Sequence, residues 1–83
     1  MSPEDREKNL ELLKEITLVI VKDCVVNTVH LQAGDTMKVI DLVKFRPLKQ
    51  WFLFKVSNGE LFDASGNEVA GLIYDFKIDI RTD

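Results

Sequence analysis

The sequence predicts a mainly β domain, a small five-stranded barrel or sandwich with one N-terminal α-helix. Three observations carry this. Residues 51–56, Trp-Phe-Leu-Phe-Lys-Val, are dense in aromatic and β-branched side chains, which suit a pleated, half-buried surface. Asn58-Gly59 follows, and this pair tolerates the positive φ angles of a type I′ hairpin turn. Near the end, Leu72, Tyr74, Phe76, Ile78 and Ile80 alternate with the mostly polar set Ile73, Asp75, Lys77, Asp79 and Arg81. That is the period of a strand with one face in the core.

The elements follow in order. Residues 2–15 read as a helix, with Ser2 as N-cap, Pro3 at the first helical position and Asp5 completing an approximate capping box. Glu4 and Lys8 form a favourable pair one turn apart. The first two turns are polar, so docking falls to Leu10 and Leu13. Ile16 to Val21 is apolar on both alternations, as in a central strand covered on both faces. Cys24-Val25-Val26 and Val29 to Gln32 flank a turn at Asn27-Thr28, which would set Cys24 opposite Leu31. Ala33-Gly34-Asp35 turns the chain into a strand over Thr36 to Val43. Lys44 to Lys49 reads as a loop, because Pro47 lacks a ladder donor and disfavours helix at Arg46. Asp63 to Asn67 is a further turn cluster and Val69-Ala70-Gly71 an irregular link to the last strand. The chain divides into the helix, 1–15, and a single β domain, 16–83.

A two-residue turn at Asn58-Gly59 pairs Val56 with Leu61 and Lys55 with Phe62. Paired residues share a face. Phe52, Phe54, Val56 and Leu61 then line the core, while Trp51, Leu53, Lys55 and Phe62 form a second, largely apolar face.

The order of these segments resembles the SH3-like small barrels. The matching features are a first strand, a longer loop, Ala33-Gly34-Asp35 opening the second strand, Trp51-Phe52 opening the third, the tight turn at Asn58-Gly59 and two more strands. The likeness spans residues 16–80 and is one of fold. The acidic-aromatic segment and proline-tyrosine pair that form the peptide groove of signalling SH3 domains are absent. Polyproline recognition is therefore not implied, and fold does not set function.

Composition bounds the rest. With 83 residues, 46% hydrophobic and 30% charged, the chain suits one soluble domain with a small core. A net charge of −3 argues against a generally nucleic-acid-binding surface. The single cysteine, Cys24, permits no intrachain disulfide, which favours a reducing, cytoplasmic setting. The longest apolar run, Leu18 to Val21, is too short to cross a bilayer, so no membrane partner is expected.

Little here suggests catalysis. Cys24 and His30 are the only thiol and the only imidazole. The turn between them sets them only diagonally near, which is poor geometry for a nucleophile and its base. They also fall short of the three or four ligands that zinc needs. The four glycines sit at turns, not between a strand and a helix as phosphate-binding loops do. Asp35, Asp41 and Asp63 are spaced as turn and surface residues. We therefore expect no enzyme, no metal and no cofactor.

Two features point to binding. From Asp41 to Glu60 no acidic residue intervenes, while Lys44, Arg46, Lys49 and Lys55 add four positive charges among Phe45, Trp51 and Phe52. Cations interleaved with rings suit a nucleic-acid surface, although residues 60–83 are −4 overall. Trp51, Leu53 and Phe62 would form an apolar patch of the kind that marks protein interfaces, rimmed by Lys44, Arg46 and Lys49. The expectation is a non-catalytic interaction module, an adaptor, assembly subunit or inhibitor. Its partner would be another protein or a second copy of itself. The alternative is a nucleic-acid-binding small barrel using Lys44, Arg46, Lys49 and Trp51.

Overall fold

The computed structural model describes residues 3–46 and 49–82, with side chains at 8, 10–43 and 50–82. Its elements are α1 (Pro3–Lys14), β1 (Ile16–Ile20), β2 (Cys24–Val26), β3 (Val29–Leu31), β4 (Thr36–Arg46), β5 (Lys49–Val56), β6 (Leu61–Ser65), α2 (Gly66–Tyr74) and β7 (Ile78–Thr82). The fold is mainly β. Five strands form an antiparallel sheet in the order β6-β5-β4-β1-β7, and β2-β3 is a separate hairpin. The helix expected at 2–15 is found, β1 lies inside the sheet and not at its edge, as expected, and the Ser2 cap lies outside the described residues.

Core residues come from every layer. Leu18, Ile20, Met37, Val39, Phe54, Phe62 and Ile78 of the sheet bury against Cys24, Val26 and Leu31 of the hairpin and Val69 of α2. Phe54 stands directly opposite Phe62, and their rings stack with centroids 5.5 Å apart. Gly66 opens α2 where a β-carbon would come within 3.1 Å of the Phe52 ring, so the helix start presses onto the sheet. Leu10 and Leu13 of α1 pack against the same core.

β4 holds its inward set by two irregularities. Strict alternation from Val39 would turn Asp41 inward. Register shifts between Val39 and Asp41, and again between Leu42 and Lys44, instead turn Val39 and Leu42 in and Asp41 out. Each inserted residue locally bends the strand and increases its twist.

Four expectations are corrected. The hairpin after β5 has a three-residue loop: Val56 N–H donates to Glu60 C=O at 2.9 Å, and Gly59 N–H donates to Val56 C=O at 2.8 Å. Within the loop only Gly59, at φ +92°, takes a positive angle. Asn58 instead turns its Oδ1 back to accept from Glu60 N–H at 2.8 Å, a local bond that asparagine makes readily in turns. The longer loop shifts the pairing by one residue, so Lys55 meets Leu61 and Phe54 meets Phe62. A one-residue shift flips every side chain of the strand. Phe62 thus enters the core, 7% exposed, and Leu61, expected inside, is 54% exposed.

The second correction is at 63–76. In place of a turn, an irregular link and the start of a strand, β6 runs to Ser65 and α2 follows. The Ser65 hydroxyl accepts from Glu68 N–H at 3.2 Å, an N-cap bond. At the other end Phe76 N–H donates to Ile73 C=O and Lys77 N–H to Leu72 C=O, the paired bonds of a Schellman motif. The last strand therefore begins at Ile78, and Phe76, expected mid-strand and buried, is 79% exposed at φ +60°.

Third, the loop expected over Lys44 to Lys49 is mostly ladder. Lys44 pairs with Trp51, Phe45 with Gln50 and Arg46 with Lys49, while Pro47 and Leu48 lie outside the described residues. Fourth, the type I′ geometry expected at Asn58-Gly59 occurs instead at Asn27-Thr28, where φ is +45° and +68°. The pairing expected there, Cys24 with Leu31, is found.

Candidate interaction surface

Trp51 and Leu53 alternate with the inward-facing Phe52 and Phe54, so β5 presents them on the outer side of the sheet. The register sets the rest of that face in rows. Lys38, Lys55 and Leu61 form one, Asp41, Leu53 and Asp63 the next, and Lys44, Trp51 and Ser65 the third. Val43, left over at the second bulge of β4, is 46% exposed. The apolar members include Trp51, Leu53 and Ile40, all half-buried, with exposed Leu61 and Val43 beside them.

Among the described residues neither helix covers this face. Leu10 and Leu13 pack against the core cluster, to which Val69 of α2 belongs. Both helices therefore sit on the inner side of the sheet, opposite Trp51. Phe62 leaves the expected patch, and Leu61 takes its place through the one-residue shift in pairing. Counting the hairpin as a three-residue loop is the signal that would have shown the exchange, and Asn58 with its reach to Glu60 is where that signal resides.

The electrostatics are mixed. Leu53 has a carboxylate on each side, Asp41 and Asp63, so the rim is not wholly basic. The backbone does bring Lys44, Arg46 and Lys49 to the Trp51 end of the β4-β5 ladder, and their side chains lie outside the described residues.

Cys24 and His30 are set apart. Cys24 faces inward beside Leu31, while His30 pairs with Val25 on the exposed side of the hairpin. Burial pushes the Cys24 thiol above its ordinary pKa, outweighing the nearby Lys77, which lowers it, while Asp23 adds to the rise. A thiol so held is poorly nucleophilic. Among the described residues no group of three or more His, Cys, Asp or Glu could hold a metal ion. No described helix is long and apolar enough to cross a membrane.

No protein-family model, no curated protein and no solved structure matches this chain.

Proposed function

We propose that the chain is a non-catalytic protein-interaction module, an adaptor, assembly subunit or inhibitor, that binds through the outer face of β4-β5-β6. One observation carries this reading. Trp51, Leu53, Leu61 and Val43 form an apolar surface on the side of the sheet opposite both helices. Tryptophan is among the residues that most often dominate binding energy. An apolar centre bordered by charges of both signs is common interface anatomy. We also read the five-stranded sheet as a partly open SH3-like barrel. The order β6-β5-β4-β1-β7, in which β7 returns across the sheet to pair with β1, and the hairpin inserted between β1 and β4 support this.

A second reading keeps the basic end of the same face. Lys44 opposite Trp51 and Arg46 opposite Lys49 bring three cations and a ring together, as single-stranded nucleic acid would require.

Tryptophan fluorescence tests the first reading directly. Trp51 should be quenched by acrylamide in the isolated chain and should shift to the blue when a partner binds. Trp51→Ala should weaken that association by more than about 1 kcal/mol and leave the far-UV spectrum unchanged. Emission from the free monomer that is already blue and resists quenching would remove Trp51 from the interface. Titration with single-stranded RNA at two salt concentrations separates the readings, because phosphate binding weakens steeply with salt.

A further inference from the structure

We propose that a second copy of this chain docks on the edge of β7 that no described strand pairs with, strand against strand, in a symmetric antiparallel pair centred on Ile80. This surface is separate from the Trp51 face.

The two edges of the sheet are unlike. At β6 the Asn27 side chain donates to Asp63 C=O at 2.6 Å, so the β2-β3 turn covers part of that edge. At β7 the strand leaves the core fully buried at Ile78, and Asp79, Ile80, Arg81 and Thr82 are then all exposed. An exposed edge is a template for another strand.

The register fixes what this edge offers. Lys77 C=O accepts from Val21 N–H at 2.9 Å, and partners in an antiparallel ladder alternate between bonded and unbonded. Asp79 and Arg81 therefore turn their backbone groups toward β1, and Ile80 turns its own outward. The Ile80 N–H is accordingly taken by the Asp79 carboxylate at 2.9 Å. A second β7 would replace that local bond with one to the facing Ile80 carbonyl, and the exchange is mutual.

The side chains are self-complementary about the same centre. Read antiparallel against itself, Ile-Asp-Ile-Arg-Thr sets Asp79 opposite Arg81 of the copy and Arg81 opposite its Asp79. Opposite charges across neighbouring strands stabilise the pair, and two-fold symmetry supplies the contact twice. On the inner face Ile80, 46% exposed, lies at an apolar cleft of about 170 Å³ between α1 and α2. The copy's Ile80 would cover it.

Sedimentation equilibrium on the full chain, from micromolar to millimolar, tests this. The wild type should show a concentration-dependent dimer. Asp79→Arg and Arg81→Asp should each weaken it about tenfold or more, since both cross-strand pairs turn from attraction to repulsion. Mixing the two variants in equal amounts should restore a dimer, because opposite charges then face each other again. That rescue also shows that both variants are folded. A wild type monomeric at millimolar concentration would overturn the proposal. So would a dimer that both substitutions leave intact. If Trp51→Ala abolished that dimer, the contact would belong to the Trp51 face.

Discussion

Phe76 closes α2 in the left-handed region, at φ +60°, with 79% of its surface in solvent. The following-residue position of a Schellman motif is where glycine is usual, because a β-carbon there meets the adjacent carbonyl. Phe76→Gly should therefore raise stability by about 1 kcal/mol, read as a higher urea midpoint at unchanged slope. Cys24 gives a pH dependence. Its thiol pKa is above the ordinary 9.0, so the folded chain holds this proton to higher pH than the unfolded chain does. The stabilisation is complete below pH 9 and declines as pH rises through the folded value. The stability of the wild type relative to Cys24→Ala should be constant below pH 9 and fall above it. Neither property was visible in the sequence. Phe76 fits the period of a strand and the end of a helix equally well. Only the placement of Ile73 and Leu72 in α2 gives it the helical role.

At the scale of elements, α2 rests on its cap. Ser65 supplies the hydroxyl for Glu68 N–H at 3.2 Å, and Ser65→Ala should cost about 1 kcal/mol while Ser65→Asp retains most of the stability. Thermal melts followed by circular dichroism would show it. The evidence for this helix was present in the residues. Ser65 precedes Glu68 by three positions, and Val69, Leu72 and Ile73 follow at helical spacing. The alternation from Leu72 to Ile80 masked it, because Leu72, Tyr74 and Phe76 satisfy period 2 by coincidence while Ile78 and Ile80 satisfy it in fact. Elements marked by dense β-branched or aromatic runs, by a helix-start signature or by a clear turn were legible. These include α1, β1, β5 and the β2-β3 hairpin. What failed was the link between them. A hairpin loop longer by one residue moved Phe62 into the core and Leu61 out of it. Composition fixes a strand far better than it fixes the strand's register.

Across the whole molecule the core converges on Phe54. It is 2% exposed, stacks on Phe62 and meets Phe52 edge to face at 6.3 Å. Phe54→Ala should cost about 3–5 kcal/mol, most of the stability of a domain this small. A urea melt showing a loss under about 1 kcal/mol would contradict this central role. The candidate surface was half legible for the same reason as the fold. Trp51 and Leu53 were assigned to the outer face from β5 alone. Their neighbours Asp41, Asp63 and Leu61 depend on bulges and loop length that no local pattern records.

The position of β1 has a consequence for synthesis. β1 lies between β4 and β7, and it pairs with β7 along its full length, from Ile16 opposite Thr82 to Ile20 opposite Ile78. A ribosome delivers β1 early and β7 late. Until residues 78–82 are in place, the sheet ends at Ile-Thr-Leu-Val-Ile, an uncharged and largely β-branched edge. Such a segment readily recruits strands from other chains. The arrival of Asp79 and Arg81 replaces it with a charged edge that accepts only a strand of complementary charge. Released chains that lack residues 78–82 should thus be the form of this protein that chaperones must hold.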